Sequence, residues 1–219
     1  MQSYKHANLT PISFGWYYKM HTDILKKSAG YNDIPATIKN ILIDSVQKPD
    51  LEEFFLFGQK HFYYPNDKVK SFLDYTGTHN AKHLYKTHVK KALKAIKSGN
   101  KSDFADEAGR ALHYLQDVTQ PHHIDSGSII AKAKEAIVPH HKFEMDAYYM
   151  QNEFYDKFTP IEIIANSFSD LFDKTVNLSQ KNQIPRKNNI ENWDSIIKNS
   201  LDLALSSTGK FLEMIMSMT

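Results

Sequence analysis

The spacing of apolar residues constrains this chain most. Over most of its length they recur at intervals of three and four, and period-two alternation is nearly absent, so the pattern builds amphipathic helices and leaves little for a sheet. It predicts helices over residues 17–29, 35–47, 78–98, 102–118, 132–155, 160–179 and 192–216, and hence an all-α, single-domain helical bundle. The punctuation agrees. "SAGYND" follows the first helix, "SGNKSD" separates the third and fourth with Ser102 or Asp103 as N-cap, Pro121 lies just beyond the fourth, and "PRKNNIENWD" is a polar linker before the last. Two stretches resist a helical reading: residues 48–67, where aromatics crowd around His61, and residues 125–133, "DSGSIIAKA". In a bundle such interruptions collect at one end, where loops shape a site.

With 219 residues there is material for one sizeable domain, and 41% hydrophobic against 24% charged residues is the balance of a folded globular chain. Basic and acidic residues number 27 and 25, and the resulting net charge of +2 is too small to imply a polyanion partner through long-range attraction. There is no cysteine, so no disulfide framework exists, and a metal would have to be held by nitrogen and oxygen. The first fifteen residues lack the apolar run of a secretory signal, and no stretch approaches the roughly 18 apolar residues of a membrane span.

The chemistry concentrates in "HYLQDVTQPHH", residues 113–123. Residues four apart share a helix face, so His113 and Asp117 can chelate one ion from adjacent turns, and Pro121 ends the helix just before His122 and His123. A second such pair, His140 and Glu144, stands in "PHHKFEMD" on the next long helix. Two chelating pairs on separate helices point to a metal site in the bundle core. Zinc suits imidazole and carboxylate ligands, and manganese or iron would also accept them. A single pair of this kind is more often a surface ion pair.

These residues resemble the zinc-dependent bacterial phospholipases C, the group that includes the catalytic domain of clostridial alpha-toxin. The family pattern HYxGDxxQPxH followed by HxxxE matches His113, Asp117, Gln120, Pro121, His123, His140 and Glu144, and departs at Gln116, where glycine is usual. Upstream, "HFYYPND" is similar to the family's HFYDPD, departing at Tyr64, and "HTDILKKSA" to a helix that begins with a ligand histidine. The resemblance covers roughly residues 16–216. It implies two or three zinc ions: one held by Asp50, His61, His113 and Asp117, a second by His123, His140 and Glu144, and a third by His21 with Asp117 as the bridge and an N-terminal tryptophan. The only tryptophan nearby is Trp16, with fifteen residues before it. Either residues 1–15 are a leader or pro-segment whose removal frees Trp16 ahead of a catalytic domain over 16–219, or the third metal is held differently, or Trp16 is core.

The reaction implied is metal-dependent hydrolysis of a phosphodiester, with a glycerophospholipid cleaved to diacylglycerol and a phosphorylated headgroup. Such a reaction needs an activated water and positive charge around the phosphoryl oxygens, which clustered cations supply. The resemblance makes Asp50 a ligand and candidate general base, and Asp117 the bridging carboxylate. Phe57, Phe62, Tyr63 and Tyr64 flank Asp50 and His61, and would offer apolar contact and cation–π attraction to a choline headgroup, or stack bases, or simply be core. Secretion, transient contact with a membrane surface and a monomeric state follow from the resemblance, with a cytoplasmic location the alternative. The spacing of Trp16 and His21 resembles that of the single-strand-specific zinc nucleases, which keeps a nuclease or nucleotidase as the second reading; Glu144 and the lack of cysteine favour the first. A metal-stabilised binding protein without catalysis is the third. His79, His83 and His88 lie among lysines and read as a solvated helix face, and His6, His122 and His141 as bystanders.

Overall fold

The computed structural model describes residues 16, 18–52, 59–63, 80–124, 137–181 and 193–219, with Tyr18, Gln59 and 137–141 described by backbone alone. Among these residues the chain is all-α: α1 (Tyr18–Lys27), α2 (Ala36–Ser45), α3 (Lys48–Glu52), α4 (Ala81–Lys97), α5 (Lys101–Asp117), α6 (Ile137–Asp156), α7 (Phe168–Lys181) and α8 (Trp193–Met216). Single 3-10 turns stand at Tyr31–Asp33, Gln59–His61 and Pro121–His123. No described helix is long and apolar enough to cross a membrane.

The α4–α5 hairpin shows how local sequence sets the frame. Gly99 takes a φ of +70°, Gly99 N–H donates to Ile96 O at 2.9 Å and Asn100 N–H to Ala95 O at 3.0 Å, the pattern that closes a helix at a left-handed glycine. Asn100 then caps the next helix, its side-chain oxygen accepting from Asp103 N–H at 3.1 Å. The N-cap is therefore Asn100, two residues before Ser102 and three before Asp103, because the turn is tighter than the polar run suggests. Ala81, Tyr85, Val89, Ala92 and Ala95 give α4 a stripe that lies against α5.

Helices α5 and α8 form the middle of the bundle. α5 packs on α4, α2, α3 and α8, and α8 also packs on α7, α6 and α1. From Ala111 to Pro121 every residue of α5 and the turn after it is buried, so this half-helix has no solvent face. One core cluster centres on Leu112, Leu115, Tyr85, Phe172 and Phe211, and a second on Trp16, Met20, Phe143, Trp193 and Leu201. The polar residues at the end of α5 lie among these apolar surroundings.

Three sequence expectations are corrected. The helix expected from residue 160 begins only at Phe168, because α8 side chains take backbone donors of the segment before it. Thr159 N–H donates to Asp202 Oδ1 at 3.2 Å and Ile161 N–H to Ser206 Oγ at 2.9 Å, while Ser167 caps α7 through Asp170 N–H at 3.1 Å. Ile163 is buried and Ile164 exposed, an alternation in keeping with an extended run. The stretch from residue 48 is not wholly irregular, since α3 and the Gln59–His61 turn lie in it. His88 leaves the solvated face: it is buried, with Nδ1 at 2.6 Å from Glu107 Oε2, whereas His83 is exposed.

α3 has only five residues, too few to be stable by itself, and its position is fixed by α5. Lys48 pairs with Asp106, and Glu52 takes a two-pronged grip from Arg110, at 2.7 Å from Nη1 and 2.9 Å from Nη2. Asp106 also accepts from Ser45 Oγ at 2.6 Å and from Arg110 Nε at 3.1 Å. Lys48 and Glu52 sit one turn apart on α3, as Asp106 and Arg110 do on α5, so the two rungs hold one face of α3 outward and turn Asp50 to the other side.

Two predictions follow for stability. A Cβ at Gly109 would lie 2.7 Å from Ser45 Cβ and 3.1 Å from two backbone atoms of α2, so Gly109→Ala should overpack the crossing by about 1–3 kcal/mol. Thermal unfolding followed by circular dichroism should show a melting temperature lower by about 2–4 °C per kcal/mol. Burial pushes the Asp106 carboxyl up, but hydrogen bonds from Lys48, Ser45 and Arg110 outweigh it and bring it to about 2. A carboxyl lowered in the folded state stabilises fully above its ordinary value near 3.8 and loses that contribution as pH falls towards 2. In urea titrations, wild type should therefore exceed Asp106→Asn in stability at pH 6, with the gap narrowing below about pH 4 and closing only below about pH 2.

Candidate metal centre

Five of the residues singled out in the sequence meet at the buried end of α5. His21 comes from α1, Asp50 from α3, His61 from its 3-10 turn, and His113 with Asp117 from α5. Around one point lie His61 Nδ1, His113 Nε2 and Asp117 Oδ2, separated by 2.8, 2.9 and 3.2 Å. Asp50 Oδ1 completes a fourth corner, 3.7 Å from His113 and 3.9 Å from His61. Four ligands about 2.1 Å from a tetrahedral ion stand about 3.4 Å apart, and these separations straddle that value.

A second set shares the same carboxylates. His21 Nε2 stands 3.5 Å from Asp117 Oδ1 and 3.7 Å from Asp50 Oδ2. Each aspartate thus turns one oxygen to the His61–His113 side and the other to His21, an arrangement that suits two cations bridged by carboxylates.

His21 Nε2, both oxygens of Asp50 and Asp117 Oδ1 are buried without a hydrogen-bond partner. Leaving such atoms bare costs about 1–3 kcal/mol each, and more when charged. Divalent cations would satisfy all four, and the donor set of nitrogen and carboxylate oxygen fits zinc.

The imidazoles are held from behind. His113 Nδ1 lies 2.8 Å from Val46 O and His123 Nδ1 3.0 Å from His61 O, which leaves Nε2 of each ring facing inward. His21 Nδ1 lies 2.7 Å from Gln116 Oε1, with the same effect. Ring nitrogens anchored in this way fix tautomer and orientation, as ligand histidines require. Gln116 was not singled out from sequence as a site residue; its departure from the expected glycine was the available signal.

Electrostatics reflect a crowd of charge without solvent. Burial, helped by the nearby His113, lowers His21 well below its ordinary value, so it is neutral at pH 7. Burial opposes charge on His113 as well, but Asp117 and Asp50 outweigh it and raise this imidazole to about 9. Burial pushes Asp50 up to about 7 against His113 and His61, with Asp117 adding to the rise. Asp117 is held well below the ordinary carboxylate range, because His113 and His61 overcome its burial. Protons thus balance the cluster where cations otherwise would.

The remaining expected residues divide. His123 and Glu144 are both buried, with His123 Nε2 4.0 Å from Glu144 Oε1, and Gln120 Nε2 donates to that oxygen at 3.4 Å. His140 lies one turn before Glu144 on α6, and its side chain is outside the described residues. Trp16 is fully buried; its indole N–H donates to Gln116 O at 2.9 Å and reaches Thr119 Oγ1 at 3.2 Å, the contacts of a packed side chain behind the centre. Phe62 stacks on His123 with rings parallel and centroids 4.5 Å apart. Tyr63 turns to the bundle, edge-on to Phe172 and under Lys82. Phe57 and Tyr64 lie outside the described residues. His122 packs edge-on to Phe143 and Trp193.

Comparison with known proteins adds the fold. No family model matches the chain, and no curated protein matches it in sequence. Among solved structures it is similar to the alpha toxin of Clostridium absonum, with a TM-score of 0.65 at 16% identity over 96% of this chain. It is also similar to alpha-toxin from an avian strain of Clostridium perfringens, with a TM-score of 0.64 at 17% identity over 95% of this chain. The chain spans 66% and 65% of the lengths of those two proteins. At this identity the likeness establishes a shared helical fold.

Proposed function

We propose that this protein is a metal-dependent phosphodiester hydrolase, and that its substrate is a glycerophospholipid cleaved on the diacylglycerol side of phosphate, as a phospholipase C does. The observation that carries this reading is the pair of nitrogen and oxygen sets around Asp50 and Asp117, in which His21 Nε2, both Asp50 oxygens and Asp117 Oδ1 are buried without partners. Asp50, His61, His113 and Asp117 would hold one zinc ion, His21 with the second oxygens of the two aspartates another, and His123, His140 and Glu144 a further one. Bound zinc would neutralise charge on a phosphoryl group and make water a stronger acid.

The chain's own residues supply the rest. Asp50 is the candidate base that accepts a proton from the attacking water, and α3, gripped through Lys48 and Glu52, keeps its carboxylate aimed at the centre. Deep burial keeps bulk water from competing with these groups for the phosphate. Phe62, only partly buried beside His123, offers an aromatic face to a lipid headgroup, with cation–π attraction to choline. The fold likeness to clostridial alpha-toxins and the family pattern in residues 113–144 support the lipid substrate over a nucleic acid. Secretion, contact with a membrane surface, a monomeric state and removal of residues 1–15 belong to the same reading.

Zinc-loaded protein should release phosphocholine from phosphatidylcholine vesicles and leave single-stranded DNA intact, with chelation abolishing turnover. Asp50→Asn should lower turnover by about 10²- to 10⁴-fold, the usual worth of a positioned base. Cleavage of DNA alone would move the substrate to nucleic acid. Absence of any hydrolysis with metal bound would make the centre structural.

A further inference from the structure

Three histidines near the centre are anchored through Nδ1, and two of the anchors are backbone carbonyls, Val46 O and His61 O. The third is a side chain. Gln116, fully buried on α5, places Oε1 2.7 Å from His21 Nδ1. Its amide nitrogen donates to Thr208 Oγ1 on α8 at 3.1 Å. Its backbone carbonyl accepts from Trp16 Nε1 at 2.9 Å and Thr119 Oγ1 at 2.7 Å. In this arrangement the donor end of the amide goes to α8 and its acceptor end faces His21.

We infer that Gln116 is a positioning residue that holds His21 as the Nδ1–H tautomer, so that the lone pair on Nε2 points at the oxygens of Asp50 and Asp117. An imidazole carrying its proton on Nε2 would instead aim an N–H at those carboxylates and could bind no cation there. Because His21 projects from α1 whereas Asp117 and Gln116 project from α5, the Gln116 amide also ties α1 to the helix that carries the other ligands. The inference rests on the metal reading for the identity of the bound ion, and not for the tautomer.

Long-range ¹H–¹⁵N spectra of the metal-free, ¹⁵N-histidine-labelled protein read the tautomer directly. In wild type the His21 ring should carry its proton on Nδ1; in Gln116→Leu, which keeps the bulk and removes the acceptor, that preference should be lost. Gln116→Glu, which retains an oxygen at the same reach, should preserve it. In parallel, competition with a chromophoric chelator should show zinc binding at the His21 set weakened about 10–100-fold in Gln116→Leu, the usual cost of losing such an outer support, and restored to within a few-fold in Gln116→Glu. An Nε2–H tautomer in wild type would overturn the inference even if zinc binds, as would an unchanged tautomer in a folded Gln116→Leu protein. Should Gln116→Leu fail to fold, Gln116→Asn, which draws the oxygen back by one methylene, offers the same readouts, and an unchanged His21 tautomer and zinc affinity there would also overturn it. Wild-type protein with the Nδ1–H tautomer but no affinity for zinc would sink the metal reading and leave the positioning role standing.

Discussion

The protein is organised around ionisable groups buried without solvent at the end of one helix. Asp117 and His113 are fully buried on a segment with no exposed face, and a charge in such a place is tolerated only with close partners. Much of the architecture supplies them: α1 brings His21, α3 brings Asp50, and the turn at residue 61 brings His61. Removing one partner would leave the others exposed to the full cost of desolvation, so these elements depend on one another through the buried charges as well as through apolar packing.

That dependence explains where the stiff parts are. A five-residue helix has no stability to spare, yet α3 carries an aspartate that must face the centre, and two ionic rungs to α5 on its outer face keep it there. The same helix, α5, thus turns His113 and Asp117 to the cluster on one side and holds Asp50 of a neighbour in place with the other. Nδ1 of the three imidazoles repeats this economy, since atoms already fixed by packing serve as anchors for the rings.

The likeness to alpha-toxin structures at 16–17% identity fits this picture, because few positions need to be kept for such a frame to form. Helix-forming periodicity, a close crossing at Gly109 and polar groups that must pair in the interior constrain the arrangement, while most of the surface is free to change.

How much of this was legible beforehand depends on whether the signal is local. The 3.6-residue period, the left-handed glycine before Asn100 and the i,i+4 spacing of His113 and Asp117 are local, and they determine the helices, their turns and a chelating face. Motif likeness named His21, Asp50 and His61 but put His21 at a different ion, with Asp117 alone as the bridge, and could not say that both aspartates turn an oxygen to each side. Other outcomes are tertiary. Residues 160–167 are helical by pattern and lie outside any helix in fact, because side chains of α8 take the backbone donors of Thr159 and Ile161. His88 sits among lysines in sequence and against Glu107 in space, and Gln116 became an anchor for His21 only when α1 was laid beside α5. The sequence by itself determined most of the helices and which histidines and aspartates could chelate; which atoms face each other across the buried centre was decided by packing, since hydrogen-bond partners far apart in the chain are chosen only when helices meet.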